Sequence, residues 1–166
     1  MSRVVLSLIA AAGISLAMFP ANAQVEPRSS LQSSGAQVMI AACEAYAAQR
    51  GGAVNIWVIN LLGQPLGFER MDGANPWQGE WAMMKATTAL DSEAPSSSRV
   101  AQFERRGVTQ ATSLYYQLEH FPRAGGVPIL VNEKPIGAIG VEGLGPEEDE
   151  RCAEAGVAAL APLVPQ

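Results

Sequence analysis

The chain has one histidine and two cysteines among its 166 residues. With no second histidine and no Cys-x-x-Cys pair, its sequence excludes a four-ligand zinc site of the usual kind. No Gly-x-Ser-x-Gly elbow is present, and a single histidine without a serine partner argues against a hydrolase. Glycine is plentiful, but Gly125-Gly126 and Gly137/Gly140 lack the spacing and the strand-to-helix setting of a dinucleotide fingerprint. Basic residues are few: 11 Lys and Arg stand against 16 Asp and Glu, for a net charge of −5. Such a chain offers no basic surface to nucleic acid. There is no internal repeat, no block of like charge and no low-complexity tract beyond Ser96–Ser98.

What is present begins with a targeting signal over residues 1–23. Arg3 supplies a positive start, Val4 to Phe19 is almost wholly apolar, and Ala21-Asn22-Ala23 is a small-x-small cleavage site. The apolar run falls short of the ~20 residues that span a bilayer comfortably, and Pro20 interrupts it. The expectation is export, to the periplasm or outside the cell, with no stable membrane anchor after cleavage. Cleavage removes one basic residue and no acid, so the remaining chain is slightly more acidic. Residues 24–32, polar and carrying Pro27, read as a flexible lead-in to a domain over residues 33–166. Cys43 and Cys152 both survive cleavage. In an oxidising compartment they are expected to pair, closing a long loop, although two separate buried thiols are the alternative.

From Ser33 the pattern is helical. Val38, Ala41, Ala42, Ala45 and Ala48 recur at three- and four-residue steps and predict the face that packs, and Gly51-Gly52 ends the helix. Ala53–Asn60 and Pro65–Arg70 form a hairpin around Leu61–Gln64. Asn75 and Pro76 open a helix from Trp77 to Leu90. Ser96–Ser98 cap another running to Arg106, and Gln110–Leu118 forms a short helical piece. Val127–Val131 and Pro135–Val141 make a second hairpin around Asn132-Glu133-Lys134. Pro146 with Glu147, Glu148 and Asp149 starts the last helix. Short connections within each strand pair require antiparallel pairing, so the fold class is α+β, with the first and last helices on one sheet.

Four stretches resemble the GlcG/HbpS family, which includes the C-terminal domain of PduO. They are Val54–Gly63, Phe68–Ala74 with Lys85-Ala86-Thr87, Gly125–Ile129, and Ile136–Val141 with Glu148-Asp149-Glu150 beyond. The resemblance covers nearly all of the chain after residue 23. It implies a five-stranded, largely antiparallel sheet packed with helices, assembly into homo-oligomers, and a haem-binding or haem-degrading role in some members. Glu142 stands where the family usually has a serine.

Two functions follow as expectations. The first is an exported binding protein for haem or a similar flat, anionic ligand. Its contacts would be Arg70, Asp72, Lys85, His120, Gly125 and Gly126. His120 is the first choice for an iron ligand, with Tyr115 or Tyr116 as oxygen alternatives. Arg70 and Lys85 would pair with propionates. The second is an enzyme of small-molecule catabolism, with Asp72, Lys85, Glu142 or Asp149 transferring protons. Each residue has a plainer reading as well. Asp72 suits an Asp-Gly turn, Arg70 an ion pair with Asp72 on one strand face, Lys85 a solvated helix position, and His120 a structural or exposed site.

Overall fold

The computed structural model describes residues 29–105 and 119–163. The elements run α1 (Ser33–Gln49), β1 (Asn55–Asn60), β2 (Pro65–Arg70), α2 (Gly79–Ser92), α3 (Ser97–Arg105), β3 (Gly126–Val131), β4 (Lys134–Glu142) and α4 (Pro146–Leu160). Single 3₁₀ turns precede α2 and follow α4. The expected piece at 110–118, with Tyr115 and Tyr116, lies outside the described residues.

Local chemistry sets most boundaries. At the end of α1, Gly51 takes φ +65°, and the N–H groups of Arg50, Gly51 and Gly52 return to the carbonyls of Ala47 and Ala48. In the first hairpin, Asn60 Oδ1 accepts from the backbone of Leu62 at 2.9 Å and Gln64 at 3.0 Å. Asn132 and Glu133 both take positive φ, the pair of left-handed residues that a two-residue hairpin turn requires. Ahead of α2, Asn75 accepts from Trp77 N at 3.1 Å, and Pro76 fills the first position behind it.

The strands order as β2-β1-β4-β3, every neighbour antiparallel. The sheet therefore has four strands among the described residues, not five. Both hairpins read from the residues are present, and the fifth strand was implied by the resemblance alone. Helices α1 and α4 cover one face, where Met39, Cys43 and Ala153 meet Ile56, Val58, Ile139 and Val141. Helix α2 covers the other, with Ala86, Ala89 and Leu90 against Ile59 and Ala138. Gly140 lets α2 approach, because a Cβ there would lie 2.0 Å from Ala82 O.

The face of α1 is a correction. Ala36, Met39, Ile40, Cys43 and Ala47 are buried, whereas Ala41, Ala45 and Ala48 are exposed. Alanine surrounds this helix, so spacing alone does not choose a face. The larger side chains and the bond from Cys43 to Cys152 do. That disulfide joins α1 to α4 with their Cα atoms 4.8 Å apart.

About one turn along the same helix pair, Glu148 accepts from Tyr46 Oη at 2.8 Å and from Arg50 Nε, and Arg151 lies 2.8 Å from its second oxygen. The hydrogen bonds from Tyr46 and Arg50 hold its carboxyl below the usual glutamate range. A carboxyl depressed on folding contributes stability above its unfolded value, about 4.3, and loses it as pH falls through the folded value. Glu148→Gln is accordingly expected to be slightly less stable than wild type at neutral pH. Urea titrations across pH should show the gap closing in acid.

Candidate functional site

Lys85 lies in the middle of α2, one position before Ala86 on the sheet-facing stripe, and its side chain is 1% exposed. The buried ammonium has three partners. Nζ lies 2.6 Å from Glu142 Oε2, 2.9 Å from Asp149 Oδ2 and 2.9 Å from Val141 O. All three donors of the ammonium are thus engaged, as burial of a charge demands. Glu142 ends β4 and is the member with some solvent contact, at 14%. Asp149, in the first turn of α4, has none, and its second oxygen accepts from Leu144 N at 2.8 Å. Burial pushes its carboxyl above the usual aspartate range, with repulsion from Glu142 adding and Lys85 and the Leu144 N–H opposing.

The glycine turn encloses this cluster. Gly125 takes φ +123°, and a Cβ there would stand 2.6 Å from Lys85 Nζ and 2.5 Å from Val141 O. At Gly126 it would lie 2.1 Å from Lys85 O. Both glycines are needed for this close backbone packing. Ser96 fixes the turn. It accepts from Gly126 N at 2.8 Å and donates to Arg123 O, so its hydroxyl serves this loop and not the start of α3.

His120 sits apart, on the outer flank of α2. Its Nε2 is 2.6 Å from Asp91 Oδ2, and its side chain is 17% exposed. The next residue, Phe121, is buried, donates its backbone N–H to Thr88 Oγ1 at 2.9 Å and meets Trp81 edge-on at 5.7 Å. The exposed guanidinium of Arg123 stands 5.9 Å from the Phe121 ring. Trp81 and Arg123 therefore flank one buried phenyl ring, and Lys85 Nζ also stands 5.9 Å from its centre.

Of the expected residues, Lys85, Glu142 and Asp149 come together, with Gly125 and Gly126 packed against them. Arg70 and Asp72 stay outside. Arg70 ends β2 and is exposed, and Asp72 lies in the following turn beside Gly73 at φ +92°. The strand stops before Asp72, so the alternation that would put the two on one face does not reach it. Ser96, Asp91 and Arg123 were not among the expected site residues. No local pattern signals Ser96 or Asp91, whose partners are distant in sequence, whereas Arg123 lies two residues from the Phe121 ring it faces.

The chain matches the model of the family described as haem degrading protein HbpS-like over residues 31–158. It belongs to that family. Among solved structures, this HbpS-like chain is similar to protein ORFY of Klebsiella pneumoniae, at 26% identity, covering 83% of this chain and 95% of that one, with a TM-score of 0.76. A double mutant of HbpS from Streptomyces reticuli is 28% identical, covering 94% and 98%, with a TM-score of 0.74. A PduOC complex with haem shares the fold at 22% identity, covering 79% and 95%, with a TM-score of 0.71. No curated protein sequence matches. Among the described residues of this HbpS-like chain, no helix is long and apolar enough to cross a membrane.

Proposed function

We propose that this protein is exported and binds haem, or a similar flat anionic ligand, on the outer flank of α2. The observation that carries the reading is the His120–Asp91 contact beside the Trp81–Phe121 pair. A carboxylate on one ring nitrogen orients an imidazole, as metal-ligating histidines require. Trp81, 39% exposed, offers a flat apolar wall, and the exposed Arg123 a forked donor for a carboxylate. These groups fit haem: His120 would hold the iron, Trp81 the macrocycle and Arg123 a propionate. Bound haem would supply redox-active iron. Lys85 has no part in this surface, because its donors are engaged with Glu142, Asp149 and Val141 O. The family's description as haem-degrading supports the same ligand.

Haem titration of the chain from Gln24 is expected to give a saturable Soret shift. His120→Ala should alter the Soret and ligand-field bands. Arg123→Ala should weaken affinity about tenfold, worth ~1.4 kcal/mol, and leave the spectrum unchanged. Wild-type protein without a saturable shift would end the reading.

Export is supported by residues 1–23 and by the disulfide. N-terminal sequencing of protein recovered outside the cytoplasm should begin at Gln24. We also propose a homo-oligomer, for which exposed Trp77, Leu62 and Phe68 supply apolar surface.

The Lys85–Glu142–Asp149 cluster favours a second reading, proton transfer on a small carbonyl or hydroxy acid through Glu142, its solvent-touching member. Glu142→Gln would then abolish turnover and leave the haem titration unchanged.

A further inference from the structure

On the face of the sheet turned away from Lys85, a half-open groove of about 470 Å³ lies between the start of α1, the end of α4 and the β3–β4 hairpin. Val38, Val131, Ile136 and Leu160 line it. Leu163, 61% exposed, continues the apolar surface to the rim. Exposed Ser30, Gln32, Ser34 and Asn132 complete that rim with hydroxyl and amide groups. Among the described lining residues there is no Asp, Glu, Lys, Arg or His.

The size is that of a small-molecule site, whose usual span is ~300–1,000 Å³. The lining sets the chemistry of the occupant. A carboxylate or ammonium entering here would lose hydration and find no opposite charge among these described residues to replace it. A hydrocarbon body would gain by burial, at about 25 cal/mol per Å². A neutral hydroxyl or amide at one end would exchange water for Ser34, Gln32 or Asn132.

We propose that this groove is a binding site for an uncharged amphiphile, its hydrocarbon part against Val38, Val131, Ile136 and Leu160 and its neutral polar end at the serine-rich rim. The site is separate from the His120 surface, which lies across the sheet, and does not depend on haem binding.

The test uses the oxidised chain from Gln24 with N-phenyl-1-naphthylamine, an uncharged apolar fluorophore. Saturable fluorescence enhancement is expected. Val38→Trp, which fills the groove, and Ser34→Trp, at its exposed rim, should each weaken binding about tenfold or more while circular dichroism stays unchanged. His120→Ala should have no effect. The sulfonated relative 1-anilinonaphthalene-8-sulfonate should bind about tenfold more weakly. Decan-1-ol should displace the probe and raise the thermal midpoint, a measurement that needs no variant. The proposal is overturned if decanol neither displaces nor stabilises, if folded Val38→Trp and Ser34→Trp bind as wild type, or if the sulfonate binds as well as the neutral probe. Binding that appears only after residues 24–28 or 164–166 are removed would assign the groove to the chain's own ends and overturn it equally.

Discussion

Lys85→Met is expected to cost about 3–5 kcal/mol at neutral pH, the range for removing one partner of a buried ion pair. The variant leaves Glu142 and Asp149 facing the same small volume without a cation. Two carboxylates so placed take up protons more readily than in the unfolded chain. Their folded pKa values then lie above the unfolded ones, so the variant recovers stability as pH falls and loses it as pH rises through the folded values. Combining Lys85→Met with Glu142→Gln and Asp149→Asn should restore much of the loss at neutral pH, since no uncompensated charge remains. Urea denaturation of the single and triple variants across pH is the measurement. A single-variant loss below about 1 kcal/mol, the scale of an exposed pair, would show that the cluster is solvated.

Replacing both Cys43 and Cys152 by alanine should remove a comparable amount, about 4–5 kcal/mol. The bond closes a loop of sequence separation 109, and in the chain-entropy model a loop of ~100 residues is worth ~4.7 kcal/mol. Both positions are fully buried, so alanine is the replacement that introduces no unpaired hydroxyl. Wild type unfolded in the presence of reductant should match the variant. Agreement of oxidised wild type with the variant within about 1 kcal/mol would mean that the bond adds nothing in solution.

The parts legible in the sequence were those whose cause is local. Asn60, Gly63 and the Asn132-Glu133 pair carry their turns in their own side chains and dihedrals, so both hairpins could be read. Asn75 and Pro76 announced α2 for the same reason. The buried face of α1 is not legible in its spacing, because a helix rich in alanine carries little contrast between its sides. Ser96 stands where a helix cap is expected, but its hydroxyl bonds to residues 27 and 30 positions away. The chemistry lay deeper still. Lys85, Glu142 and Asp149 belong to three elements, and only the sheet order brings them together. Nothing near His120 in sequence points to Asp91, which is 29 residues away. Residue types could therefore nominate Lys85, Glu142, Asp149 and His120, but not divide them between two places.

The strand order also governs when the protein can fold. The central pairing of the sheet joins β1 to β4, as in Asn55 with Glu142, and α1 finds its packing partner in α4. The β1–β2 hairpin has α1 and α2 beside it until the last quarter of the chain arrives, but its central partner β4 and the helix that covers α1 are still missing. Folding that waits on such distant pairings is slow, because loop closure must precede the contacts that reward it. During synthesis the first half emerges with its partners still unmade. The wiring acts as a built-in delay: the sheet cannot close until nearly all of the chain is available.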